Sequence, residues 1–278
     1  MNMEIRFQNS PGETAAMNTE QLRANFLVQR LMQDDQVKLV YTHYDRVIIG
    51  GAKPVNKTLS LPNHEELKAA YFLERRELGI INVGGAGTVI ADKKEFSLNK
   101  LDCIYLGKET LDVKFKSKSK KEPAVFYLLS APAHKKYPNR LMAKEKAFPV
   151  QLGDVSTSNK RTIYKYIHLD GIKSCQLVMG LTVLEPGSVW NSVPPHTHTR
   201  RMEVYFYFDV QAQHRVMHFM GQPQETRHIV LANNEAVISA PWSMHFGCGT
   251  ANYGFIWGMA GENQVFTDMD QVAVSDVL

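Results

Sequence analysis

Cysteine is scarce in this sequence, and the three present, Cys103, Cys175 and Cys248, lie more than 70 residues apart. That spacing excludes both a CxxC metal knuckle and a disulfide framework, and it suits a reducing cytoplasm. Long apolar runs are missing as well. No stretch approaches the roughly 18 residues that a bilayer-spanning helix needs. The opening segment MNMEIRFQNSPGETAAMNTE has no apolar h-region and no cleavage signature, so no secretory leader is expected. The sequon Asn56-Lys57-Thr58 is accordingly expected to stay unmodified. Charge of one sign is also lacking: the formal net charge is +4, with 22% charged residues. Nucleic-acid binders concentrate basic charge on one face, so this balance argues against that class and is compatible with a small anionic substrate.

Helical periodicity is confined to the first quarter of the chain. Asn18 or Thr19 can cap a helix from about Glu20 to Met32 with Leu22, Phe26 and Leu27 on one face. A second helix is predicted from Asn63 toward Ala70. From about Leu78 the pattern turns to short β runs such as GIINV, GTVIA and AVFYLL, then CQLVMGLTVL, EVYFYFDV and AVISAPW. Many short strands punctuated by turns predict a sandwich or barrel rather than βαβ units. The two halves read as distant copies. The first carries Glu74-Arg75-Arg76-Glu77, DCIYLGKE and AVFYLLSAPAH; the second carries Arg200-Arg201-Met202-Glu203, EAVISAPWSMHFG and YGFIWGMAG. Two β-barrel modules are therefore expected, over 1–150 and 151–278, joined across the polar stretch from Lys135 to Lys160. Only the second has clustered histidines.

The informative segment is Pro194-Pro195-His196-Thr197-His198-Thr199-Arg200-Arg201-Met202-Glu203. On a strand, His196 and His198 point to the same face and can meet one cation. Glu203 enters the apolar strand VYFYF, where a carboxylate needs water, a positive partner or a metal ion. His245, in Pro241-Trp242-Ser243-Met244-His245, supplies a fourth ligand. A set of three histidines and one carboxylate suits zinc, iron, manganese or nickel.

These residues resemble the metal signature of the cupins, HxH, four residues, Glu and a distal His, carried on a double-layered β jelly roll. Two departures mark a subfamily: eight residues separate Gly187 from His196 where five are usual, and Ser243 replaces the usual glycine of the second motif. PPHTHTRRMEVYFYF, GQPQETRHIVL, WGMAGENQVF and FLERRELGIINVGGAGT resemble the 5-keto-4-deoxyuronate isomerase family over nearly the whole chain. The resemblance implies a double cupin that is mainly β, with a few N-terminal helices and a metal-free first module. It implies one divalent metal per chain, most simply Zn2+, held by His196, His198, Glu203 and His245. It further implies aldose–ketose isomerisation of 4-deoxy-L-threo-5-hexosulose uronate to 3-deoxy-D-glycero-2,5-hexodiulosonate in pectin breakdown, by a homo-oligomer of hexameric type. The rival readings are 5-deoxy-glucuronate isomerase, an iron-dependent cupin dioxygenase and a non-catalytic sugar-binding cupin.

The remaining candidates are single residues. Arg201 and Arg227, then Arg161, are expected to clamp the substrate carboxylate, because a guanidinium fork matches it bidentately. Glu225 and His228 are candidates for proton transfer, and Cys248 lies three residues past His245. Gly84-Gly85-Ala86-Gly87 falls between two β runs with no helix after it, so it reads as a strand-to-strand turn and not as a dinucleotide loop. The run KFKSKSKK from Lys114 lacks interleaved aromatics and reads as a solvated loop.

Overall fold

The computed structural model of the chain describes residues 3–262, 264–265 and 267–278; Asn263 and Phe266, within the segment WGMAGENQVF, lie outside them. The chain divides into two compact units. The first comprises Met1–Arg6, Arg30–Phe148 and Tyr166–Val178; the second comprises Phe7–Gln29, Pro149–Lys165 and Met179–Leu278. A single boundary at 150 therefore misassigns two segments. Phe7–Gln29 belongs with the second unit because Leu27–Val28, both buried, pair antiparallel with Ala236 and Val237 and extend that unit's sheet.

In the first unit a seven-stranded sheet has Phe126–Pro132 and Arg76–Asn82 near its middle, and a four-stranded sheet is built from Leu59–Ser60, Val113–Ser117, Gly87–Ala91 and Lys94–Leu98. Leu78, Ile80 and Leu128 from the large sheet meet Val89, Phe115 and Leu98 from the small one in a single apolar cluster. Each such side chain stabilises the fold by roughly 1.5–3 kcal/mol on burial. The second unit repeats the plan. Its large sheet runs Val150–Leu152, Arg161–Ile167, Val178–Leu184, Gly254–Gly261, Arg201–Phe208, Glu235–Ser239 and Leu27–Val28. Its smaller sheet runs Glu225–Leu231, Val216–Gln222, Met244–Gly249, Trp190–Thr197 and Asp270–Gln271. The fold is mainly β, as the strand patterning predicts.

The helices are shorter than their periodicity suggests. Helix α1 (Pro11–Ala15) starts with a capping box between Ser10 and Glu13, and α2 (Thr19–Phe26) with one between Asn18 and Gln21. Helix α2 stops at Phe26 rather than Met32 because Leu27 takes an extended backbone and joins the sheet. The predicted helix at Asn63 is only a 3-10 turn, Glu65–Leu67, whose last carbonyls are followed by Lys68 in the left-handed region. Gly84-Gly85-Ala86-Gly87 does connect two strands, with the Gly85 amide donating to the Pro123 carbonyl.

Candidate metal centre

Four side chains of the second unit, His196, His198, Glu203 and His245, bring one donor atom each to within 4.8 Å of one another. Register explains how residues so far apart in sequence meet. His196, on Trp190–Thr197, lies directly opposite His245, on Met244–Gly249, in an antiparallel pair. Glu203 comes from Arg201–Phe208 in the other sheet, where it faces Ser239. His198 sits one residue beyond the end of its strand, so strand alternation alone does not aim it. Its Nδ1–H instead donates to the Arg201 carbonyl at 3.0 Å, which turns Nε2 toward Glu203 Oε2 at 2.9 Å.

The donor set fits a divalent cation. With His198 Nδ1–H given to a carbonyl, its Nε2 carries a lone pair inward. His245 is held the same way: its Nδ1 lies 3.0 Å from Ser239 Oγ and 3.3 Å from the Ser243 carbonyl. Its Nε2 then stands 2.7 Å from Glu203 Oε2 and 3.1 Å from His196 Nε2. Glu203 Oε2, at hydrogen-bond distance from both rings, is satisfied by protons on them, which is why the carboxylate raises the His198 pKa against its burial, or by a metal ion among the donors. Hydrogen bonds that fix the outer ring nitrogens are the usual support of metal-binding histidines. Electrostatics agree. Burial, then the neighbouring His245, holds His196 down to about 3, so its ring is neutral and able to donate a lone pair. Burial alone would raise the Glu203 carboxyl, but the His245 and His198 rings beside it keep it below the usual range and ionised.

The centre opens into a cavity of about 420 Å³, lined by His196 and Glu203 among others. Arg161, Asn159, Ser192, Tyr205 and Gln271 supply its polar wall, and Ile163, Phe255, Trp257 and Met259 its apolar one. Gly180 makes room for that wall, since a Cβ there would overlap the Trp257 ring. Trp257 Nε1 donates to Thr182 Oγ1 at 3.2 Å, which fixes the indole plane. Arg161 donates through Nη1 to the Asn159 carbonyl at 2.8 Å, and burial lowers its pKa.

The other sequence-predicted residues do not line the cavity. Arg201 is fully buried, but its guanidinium donates to the carbonyls of Val265 and Asp268 and anchors the chain after Gly261. Arg227 donates to the carbonyls of Thr226 and Ala15 and pairs with Glu225. These contacts engage both guanidiniums away from the cavity, whose lining includes Arg161 and neither Arg201 nor Arg227. Glu225 and His228 lie on the outer strand Glu225–Leu231, where the His228 ring packs against Phe219. Cys248 Sγ contacts the Gly249 carbonyl. Sequence reasoning missed Tyr205, although it follows Glu203 by two residues and period-two alternation puts both on one face.

Two barrels of facing sheets, the second enclosing a three-histidine, one-carboxylate cluster, define a double-cupin protein with a candidate metal centre in one barrel. The sequence profile of the KduI/IolB family matches residues 26–276, and the chain belongs to that family. A relative from Halalkalibacterium halodurans, 53% identical over 99% of this chain and all of its own length, is named 4-deoxy-L-threo-5-hexosulose-uronate ketol-isomerase. One from Yersinia pestis with the same name is 50% identical over 99% of this chain and all of its own length. Among solved structures, an IolB-like protein from Salmonella typhimurium superposes with a TM-score of 0.72 at 14% identity, covering 89% of this chain and 97% of its own. That likeness is one of fold.

Proposed function

We propose that this chain is a metal-dependent intramolecular oxidoreductase that isomerises 4-deoxy-L-threo-5-hexosulose uronate to 3-deoxy-D-glycero-2,5-hexodiulosonate during pectin and uronate breakdown. The observation that carries this reading is a His3Glu cluster opening into the same cavity as one buried arginine, Arg161. Whole-length relatives at 49–53% identity that bear the ketol-isomerase name support it. They favour it over the rival 5-deoxy-glucuronate, dioxygenase and sugar-sensor readings.

A divalent cation held by His196, His198, Glu203 and His245, zinc in our reading, would serve as a Lewis acid toward the substrate's carbonyl and hydroxyl oxygens. The chain's own residues do the rest. Arg161, on the lining of the same cavity, holds the uronate carboxylate through charge-assisted hydrogen bonds. Asn159, Thr182 and Gln271 offer amide and hydroxyl groups to the sugar hydroxyls, and Phe255 and Trp257 exclude water from the reacting carbons. Fixing both ends of a short chain converts a loose encounter into an aligned one. Family resemblance supports a cytoplasmic homo-hexamer, which light scattering on the purified protein tests.

The direct experiment incubates purified protein with the lyase-derived deoxy-ketouronate, with and without chelator, and follows the product by NMR. Turnover that stops on chelation and returns with one equivalent of zinc is expected. Metal-replete protein that leaves this substrate unchanged would overturn the reading.

A further inference from the structure

An aldose–ketose isomerisation exchanges the oxidation levels of C1 and C2. Either a base removes the C2 hydrogen as a proton, or that hydrogen moves with its bonding pair. The first route needs a base within hydrogen-bond reach of C2–H. Among the described residues, the ionisable side chains lining the cavity are Arg161, His196, Glu203 and Tyr205. His196 and Glu203 belong to the candidate metal centre, and a guanidinium does not act as a base in a protein. A neutral phenol exchanges protons with oxygens but is a poor carbon base. Glu225 and His228 lie outside the lining.

The cavity does carry a pair of hydroxyls. Ser192 Oγ and Tyr205 Oη are 2.8 Å apart and both lie on the lining beside Glu203. Ser192 is held at φ 41, in the left-handed region that non-glycine residues rarely adopt. Strain of this kind persists where the surroundings demand it. Next to the pair, Phe255, Trp257 and Met259 form an apolar wall.

We propose that the isomerisation proceeds by a hydride shift from C2 to C1, with the Ser192–Tyr205 hydroxyl pair carrying the accompanying proton from the C2 oxygen to the C1 oxygen. This rests on the isomerase reading above. The C2–H bond breaks and a C1–H bond forms with the same electron pair. C2 is oxidised from carbinol to ketone, and C1 is reduced from aldehyde to primary alcohol. The proton on the C2 oxygen passes to one hydroxyl of the pair, that hydroxyl's own proton crosses the hydrogen bond to the other, and the other's proton passes to the C1 oxygen, so both hydroxyls end neutral. No outside oxidant or reductant is required, and the pair is restored when its hydrogen bond reorients.

The test is isotopic. Metal-replete protein converts the substrate in D2O, and in a second arm converts substrate deuterated at C2 in ordinary water. The hydroxymethyl carbon derived from C1 is read by NMR at early turnover. The expected result is no solvent deuterium at that carbon in the first arm and full retention of the C2 label there in the second. Solvent deuterium at that carbon, or a washed-out label, overturns the hydride shift while leaving the isomerase reading intact. No product in either arm brings down the isomerase reading itself, and this inference with it. For the relay, Tyr205→Phe is expected to lower kcat about a hundredfold, within the range of positioned proton transfer, with KM and bound metal unchanged and the label still retained. Ser192→Ala tests the same relay without altering the aromatic packing. Wild-type kcat in either variant, or lost metal in Tyr205→Phe, overturns the relay.

Discussion

In the first unit the strand Arg76–Asn82 turns Leu78 and Ile80 into an apolar cluster. In the second, the strand Arg201–Phe208 turns Glu203 and Tyr205 into a cavity. The registers match position by position. Arg76 and Arg201 open the two strands opposite Pro132 and Gly261, the last residues of their neighbours. Leu78 faces Leu106 and Glu203 faces Ser239, again the last residues of the strands beside them. Leu78 thus stands in the first barrel where Glu203 stands in the second. The inward positions of Val113–Ser117, Val113 and Phe115, are likewise apolar, whereas Met244–Gly249 brings in His245. One frame makes a filled core or a reactive hollow according to a few inward side chains. The hollow costs core packing and requires that each buried charge be compensated.

Substituting the matched position in each barrel should break this comparison most sharply. Glu203→Ala is expected to lose the bound metal and at least a thousandfold of kcat/KM, about 4 kcal/mol, with circular dichroism and thermal midpoint nearly unchanged. Metal removal by chelator should reproduce that pattern in the wild-type chain, since a β-barrel with an apolar core does not depend on the ion to fold. Leu78→Ala should do the opposite. Truncating a fully buried leucine costs about 2–5 kcal/mol of stability, measurable as a lower urea midpoint, while the folded fraction keeps its metal. An intermediate outcome in either variant, both stability and metal lost, would mean that the two barrels do not divide the labour.

Arginine offers the next contrast. Arg161→Ala should reduce kcat/KM by about ten- to a hundredfold, the worth of one charge-assisted hydrogen bond of roughly 1.5–3 kcal/mol, seen chiefly in KM. Arg227→Ala, whose guanidinium is engaged by backbone carbonyls and Glu225, should leave kcat/KM within about threefold of wild type. The smallest effect on the reaction itself is expected at Glu77, whose contacts lie wholly within the first unit. Its carboxylate accepts the amides of Cys175, Gln176 and Leu177 at 2.7–2.9 Å and the Tyr105 hydroxyl at 2.8 Å. Glu77→Gln keeps only the two contacts made to one oxygen and turns an amide NH2 toward the other donors, so it should cost about 1–3 kcal/mol of stability with no change in metal content.

Glu77 also marks where reading the sequence stops being enough. Setting Glu74-Arg75-Arg76-Glu77 against Arg200-Arg201-Met202-Glu203 end to end pairs the two glutamates, yet in a strand a one-residue offset reverses the face. Only the hydrogen-bond register reveals that Leu78 is the counterpart. The four clustered side chains are legible because their spacing is local or tied to strand ends. The place of Arg161 on the cavity lining is not legible for the converse reason: it gets there through strand order, which no local pattern encodes. The end of α2 was misjudged because Leu27 and Val28 fit a helical face as well as a strand, and long-range pairing decided between them.

That pairing has a consequence for how the protein is made. Leu27 and Val28 leave the ribosome early, but their partners Val237 and Ala236 are joined to the chain only some two hundred residues later. At roughly 5–20 residues per second, the wait is on the order of 10–40 s. Throughout that interval an apolar strand still without its partner strand precedes a first barrel whose own strands are already available. A nascent chain of this kind is exposed to edge-to-edge aggregation and to capture by chaperones, and the vulnerability ends only when the strand Glu235–Ser239 emerges.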